Sequence, residues 1–382
     1  MNNTFENKLG LVLPGGGARG AYQVGVLKAI SEILPDSSKN PFPILSGTSV
    51  GAINIALLAA ESDSFHNGVS KLTNIWGGFS SNAIYKTNPI MLFLNSLHWL
   101  LTFITAGIVV KNPKSLLNNN PLEKMLIDRV DFSQIQKNLD EHHIEAIAVT
   151  CASYNRKCTS TFFQSNHPNL TWKKSHREGK PMVINISHLM ASVALPLIFP
   201  AKKIDHQYYG DGAMRQATPL SPAIRMGADK LLIITTNENH QNLNSEEEQI
   251  AHPSIAEIGG YMLDALFSDA LYSDLERLDR INQIVNNNDS VVKTNKKKMK
   301  KIDYLVISPS KSINEIAKNS FHQMPLTMRL ILRGLGVLNG KNYDLTSFLL
   351  FESIFIKKLI KLGYEDGIKL KKQIIEINTS KK

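Results

Sequence analysis

The chain has 382 residues, of which 43% are hydrophobic and 20% charged, with a formal net charge of +10. That length and composition support a sizeable globular core and exclude a disordered or fibrous chain, while two cysteines exclude a disulfide framework. The positive balance favours anionic partners, either a nucleic acid or an acidic membrane surface.

In chain order, MNNTFENKLG has no apolar run behind a basic start, so no Sec signal peptide is expected and residence in the cytoplasm is. Leu9 to Leu13 reads as a short buried strand. Ala21 to Leu34 follows as a helix with Leu27, Ile30 and Leu34 on one face. PFPILSG predicts a second strand around Ile44, and SVGAINIALLAAE a buried helix. Strand, loop, helix, strand, sharp turn and helix open an α/β fold with a parallel sheet. Ile90 to Val110 carries no charge and has about the length of a membrane span, but Asn95, Ser96, His98, Thr102 and Thr105 dilute it. A lid or interfacial insertion over 88–112 is expected instead. IEAIAVTCASY with STFF predicts a strand pair, and Asp229 to Thr236 another buried strand. After residue 236 a polar, then mainly helical, C-terminal extension is expected over 237–382. It holds a basic low-complexity loop at 286–301, a strand at Tyr304 to Ser310, and an amphipathic helix from Leu345 to Leu362 capped by Gly363.

Two glycine motifs carry the chemistry. Gly15, Gly17 and Gly20 form G-x-G-x-x-G between a strand and a helix, a backbone that suits an anion. A dinucleotide-binding fold would need a carboxylate at the end of the second strand, and none stands there. That strand instead ends in Gly47-Thr48-Ser49-Val50-Gly51, a G-x-S-x-G turn that lifts a serine hydroxyl above a sheet edge. Read alone, Ser49 is also a helix N-cap and the Gly15 to Gly17 turn a plain connection. A serine nucleophile needs a base. None of the 11 histidines sits in a triad context, although His188 and His206 lie close in sequence to the next candidate. That candidate is Asp211, between Gly210 and Gly212, which also reads as an Asx-turn. Cys151 and Cys158 match no zinc spacing, so no metal is expected.

LVLPGGGARGAYQVGVL, GTSVGA, ASVALPLIFPAKKI and YYGDGAMRQATPL resemble, in that order, the characteristic blocks of the patatin-like phospholipases. The resemblance covers about residues 8 to 236. It implies a three-layer α/β/α sandwich with a mostly parallel sheet over 1–236, and a Ser–Asp dyad without histidine, cofactor or metal. Carried over, Ser49 is the nucleophile and Asp211 the proton acceptor. Gly15, Gly16, Gly17 and Arg19 belong to the oxyanion loop, with Gly20, Gly47, Gly51, Gly212 and Ala213 as supporting motif positions. The implied substrate is a phospholipid or lysophospholipid; because such lipids reside in bilayers a peripheral membrane surface is expected, and because the lysine run lacks interleaved aromatics no nucleic acid is. A membrane-associated scaffold with an idle site and a nucleotide-binding Rossmann enzyme are the alternative readings.

Overall fold

The computed structural model describes residues 7–34, 39–86, 88–106, 108, 113–167, 170–238, 252–287, 300–337 and 343–379. Among the described residues ten strands make one sheet: β1 (Leu9–Leu13), β2 (Ile44–Thr48), β3 (Ala146–Ser153), β4 (Cys158–Ser165), β5 (Trp172–Lys174), β6 (Arg177–Pro181), β7 (Lys202–Ile204), β8 (Gln207–Asp211), β9 (Lys230–Ile234) and β10 (Asp303–Ile307). Their order is β10-β9-β1-β2-β3-β4-β6-β5, with β8 against β3 and β7 against β8. From β10 to β3 every pairing is parallel. The β3–β4, β3–β8, β7–β8 and β5–β6 pairings are antiparallel, and β4–β6 is parallel. LGLVL and KLLII are buried at every position, as expected of central parallel strands covered on both faces.

The helices are α1 (Ala21–Ile33), α2 (Val50–Ala60), α3 (Phe65–Gly77), α4 (Ser81–Ile84), α5 (Pro89–Ile104), α6 (Asn120–Arg129), α7 (Phe132–Asp140), α8 (Ile186–Ser192), α9 (Ser221–Arg225), α10 (Ile255–Asn287), α11 (Ile313–Ser320), α12 (Leu326–Gly334), α13 (Asp344–Leu349), α14 (Ser353–Lys369) and α15 (Lys371–Thr379). Because side chains alternate along a strand, neighbouring residues join different layers. Leu11, Leu13, Leu45, Ile147 and Val149 pack in one core with α1, α2, α3 and α14. Val12, Ile44, Ala146, Leu231 and Ile233 pack in the other, under Ala223 of α9 and Leu271, Leu275 and Leu278 of α10. The fold is therefore a three-layer α/β/α arrangement, as the resemblance implies.

The C-terminal residues are part of this body. The expected boundary after residue 236 falls between β9 and β10, neighbouring strands of the same sheet, and α10 covers one of its faces. The expected helix from Leu345 to Leu362 is two helices, broken at Leu350 to Glu352, where the Leu349 carbonyl accepts the Tyr85 hydroxyl at 2.9 Å. Gly363 is not a cap. It lies inside α14, where an added Cβ would stand 2.1 Å from the Tyr22 carbonyl of α1. Gly25 of α1 is its counterpart, 2.0 Å by the same measure from the Ile360 carbonyl, so the two helix backbones touch. Most of the basic loop, residues 288–299, lies outside the described residues; Lys300 and Lys301 pair with Asp229 and Asp303.

Candidate active site

The site forms where β1, β2 and β8 end. After β1 the chain turns through Pro14 and Gly15 to Gly17 into a short 3-10 turn, Gly17–Gly20, and then α1. A Cβ on Gly15 would meet the Phe267 ring at 2.2 Å and the Ser49 Cβ at 3.0 Å, so this loop lies directly against the serine. Gly17 has φ +54 and its missing Cβ would strike the Phe348 carbonyl at 2.3 Å, two independent reasons for glycine. Beneath the loop a chain of buried amides holds it. Gln23 Nε2 donates to the carbonyls of Pro14 (2.9 Å) and Ile234 (3.1 Å), Asn54 Nδ2 donates to Gln23 Oε1 (2.9 Å), and the Trp76 indole donates to Asn54 Oδ1 (2.8 Å).

Ser49 follows β2 at φ 53, ψ −126, a strained conformation for a residue other than glycine. Its hydroxyl makes no capping bond to α2, although its backbone occupies the N-cap position. The elbow is fixed from elsewhere. The Ser49 N–H donates to Ser192 Oγ at 2.8 Å, and the Ser192 hydroxyl donates to the Thr150 carbonyl at 2.7 Å. The positive end of α2 faces the same point. Gly47, Gly51 and Gly20 let the turn close up: Cβ atoms there would press on the Gly51 carbonyl, the Leu13 carbonyl and the Val50 side chain.

Asp211 reaches the serine by register. β3 lies beside β2 with Thr150 opposite Thr48, and β8 adds to β3 with Asp211 opposite Cys151. Because β4 pairs with β3 along its whole length, β8 takes the β2 side of β3, and Asp211 stands one register position beyond Thr48, where β2 ends. It is 1% exposed. Oδ1 accepts the Ala213 N–H at 2.9 Å, the expected Asx-turn, and the buried Oδ2 has no hydrogen-bond partner among the described residues. Burial pushes the carboxyl up to about 7, against the opposing influence of the Ser49 hydroxyl and the Ala213 amide. A carboxylate poised there can take a proton at neutral pH. Gly212 packs on the Thr150 carbonyl.

An apolar pocket opens onto both residues. Of its sixteen lining residues only Ser49 and Asp211 present a polar side chain, since the Trp76 indole N–H is already spent on Asn54. The rest are aromatic or aliphatic, among them Phe79, Phe199, Phe267, Phe348 and Phe351. The last three come from beyond residue 236. Nothing in their local sequence marks them, nor Ser192, as parts of a site; only the fold brings them together.

Arg19 sits elsewhere than expected. Its guanidinium turns into a buried network with Ser347 (2.7 Å), Asn237 (2.8 Å), Asn314 (3.0 Å), Asp264 and Asp344 (3.2 Å each), and stacks on Phe348 at 3.9 Å. Burial lowers its pKa, opposed by Asp344 and Asp264. With its donors engaged, the side chain braces the C-terminal wall of the pocket. His188 is buried and held low, to about 4, chiefly by that burial; its Nδ1 accepts the Asn185 N–H in a capping box. His206 is exposed in the β7–β8 turn. Neither lines the pocket. Among the described residues no cluster of three His, Cys, Asp or Glu is placed to hold a metal ion.

The sequence model described as patatin-like phospholipase matches residues 11–224, more than half of the chain. Lysophospholipase nte1 of Aspergillus terreus is 53% identical over 55 residues, 14% of this chain and 3% of that protein. Patatin-like phospholipase domain-containing protein 7 of Rattus norvegicus is 49% identical over 55 residues, 14% of this chain and 4% of that protein. ZK370.4 of Caenorhabditis elegans, a patatin-like phospholipase domain-containing protein, is 43% identical over 75 residues, 17% and 5%. The chain thus spans only a few per cent of the length of these relatives. Among solved structures, VipD from Legionella pneumophila aligns with a TM-score of 0.34 and 13% identity over 96% of this chain and 67% of that one. On the family match and the fold, the chain belongs to the patatin-like phospholipase family.

Proposed function

We propose that the chain is a lipid acyl hydrolase that cleaves a fatty acyl ester of a phospholipid or lysophospholipid. The observation that carries this reading is the pocket: an apolar space whose only available polar side chains are a strained serine and a buried carboxylate. Such a space suits an acyl chain with its ester at one end. A nucleotide reading fares worse, because the glycine loop lies against Ser49, Phe267 and Phe348.

In the proposed mechanism Asp211 takes the proton of Ser49, and Oγ attacks the ester carbonyl. The tetrahedral oxyanion is received by amides of the Gly15 to Gly17 loop, a kind of contribution worth about 3–4 kcal/mol per donor. The intermediate collapses to an acyl-serine, and the alcohol leaves with the proton held by Asp211. Water then enters, gives a proton to Asp211 and attacks the acyl-serine. The second intermediate releases the fatty acid as the proton returns to Ser49.

A long-chain ester resides in a bilayer, and α5 offers a place to meet one. Ile90, Leu94, Leu97, Leu101 and Ile104 recur at helical spacing, a pattern that usually faces a core. Here the stripe faces outward, with Ile104 71% exposed, and exposed Lys86 and Lys114 flank it. Ile84 and Leu122, on either side of this excursion in the chain, line the pocket. Among the described residues no helix is long and apolar enough to cross a membrane. The proposed mode is therefore docking of α5 into the interfacial zone of an anionic leaflet. The hydrolase reading is tested by release of free fatty acid from lysophosphatidylcholine and mixed phospholipids. Wild type should release it and Ser49→Ala should not; equal release by both would overturn the reading.

A further inference from the structure

One side chain is common to the walls of the apolar pocket and of a second space. Phe79 lines the pocket and also lines a polar groove edged by Glu61, Lys71, Asn74, Met125 and Arg129. No other described residue is common to the two walls. The ring is 5% exposed. It lies 4.8 Å from the Trp76 ring and 6.5 Å from that of Phe351, held between one aromatic of α3 and one of the C-terminal segment. Its N–H donates to the Trp76 carbonyl at 3.1 Å, which fixes the turn after α3.

We infer that Phe79 sets the upper limit on acyl chain length by closing the pocket off from the groove. This rests on the reading of the pocket as an acyl site. The physical argument is one of burial. Methylenes that fit between Ser49 and Phe79 leave water for apolar surface and add to binding. A chain too long for that distance must displace a packed aromatic ring or stay outside with its ester withdrawn from Ser49. Either way its kcat/KM falls, and discrimination by a few methylenes in such a pocket reaches about 10- to 200-fold. Truncating Phe79 joins the two spaces. The chain end then passes between Ile75 and Met125, apolar members of the groove wall, while Glu61, Lys71 and Arg129 stay solvated at its edge.

The test is a series of p-nitrophenyl esters from butyrate to palmitate, with wild type, Phe79→Ala, Phe79→Leu and Phe79→Trp, each checked for folding by its melting curve. The ratio of kcat/KM for palmitate to that for octanoate should rise about tenfold or more in Phe79→Ala, rise less in Phe79→Leu and fall in Phe79→Trp. If the alanine variant does not fold, the leucine and tryptophan variants still move the ratio in opposite directions. A ratio that stays put in the folded variants overturns the inference. Equilibrium binding of saturated fatty acids to Ser49→Ala protein reads the same wall without turnover. A length limit that shifts with Phe79 there, beside esterase activity that ignores Ser49, would sink the hydrolase reading and leave the wall standing. Ser49-dependent turnover with no such shift would do the reverse.

Discussion

In the proposed mechanism Asp211 gives the site its pH dependence. Its carboxyl is raised to about 7 by burial, so below that pH it holds the proton that it must lack to deprotonate Ser49. The expected outcome is a kcat/KM on a soluble ester that climbs with pH through about 7; a flat profile between about pH 5 and 9 would contradict the assignment. The same shift acts on stability. The folded pKa lies above the unfolded value of 3.8, so the folded state keeps a proton that the unfolded state releases. Stability is then full below about pH 4 and declines as pH rises through about 7. Asp211→Asn removes that decline. Denaturant titrations should find it more stable than wild type by on the order of 4 kcal/mol above pH 7, with the gap closing toward pH 4, while its turnover is lost. The turns that carry Ser49 and Asp211 were legible in the sequence because their signals are local: glycines on both sides of each, at the end of a strand. The pKa of Asp211 was not, because it depends on burial by residues far along the chain. Arg19 shows the limit from the other side, since a position inside a local motif does not tell where a long side chain points.

The elements were legible where a strand or helix is decided by its own residues, as in β1, α1, β2, α2, β9 and β10. The α13–α14 region was not. The apolar period from Phe348 to Leu362 runs on through the break, which is imposed by tertiary contact at the Leu349 carbonyl. Glycines inside helices carry a related lesson. Gly25 and Gly363 occupy helix interiors, where alanine would ordinarily gain about 0.5–1 kcal/mol. Their missing Cβ atoms would instead strike backbone of the partner helix at 2.0 and 2.1 Å. Gly25→Ala and Gly363→Ala are therefore expected to destabilise by about 2–3 kcal/mol or more. A Cβ added at Gly77, at the end of α3, would meet nothing within 4 Å, and Gly77→Ala should stabilise by a few tenths to about 1 kcal/mol. Thermal melts of the three variants check the contrast. Melting points raised alike in all three would mean that α1 and α14 do not pack as described.

At the scale of the molecule, the C-terminal third completes the body that the family motifs begin. α10 covers the Val12, Ile44, Leu231 and Ile233 face, β10 extends the sheet, and Phe267, Phe348 and Phe351 wall the pocket. A fragment of residues 1–236 should therefore be recovered only as aggregate; a monomeric fragment with a cooperative melt would restore the boundary after residue 236. The proposed surface mode makes its own demand. The intact protein should pellet with anionic vesicles at low salt, part of it should be released by high salt, and Leu101→Glu with Phe103→Glu should weaken binding about tenfold or more. Sedimentation that is indifferent to those substitutions would remove α5 from the interface. The central claim, that Ser49 is a nucleophile activated in an acyl-shaped pocket, is met most directly by a long-chain alkyl fluorophosphonate followed by peptide mass spectrometry. A single adduct on Ser49 is predicted, absent in Ser49→Ala and formed far more slowly in Asp211→Asn. A folded wild-type protein that takes no label at Ser49, while hydrolysing esters, would contradict the account.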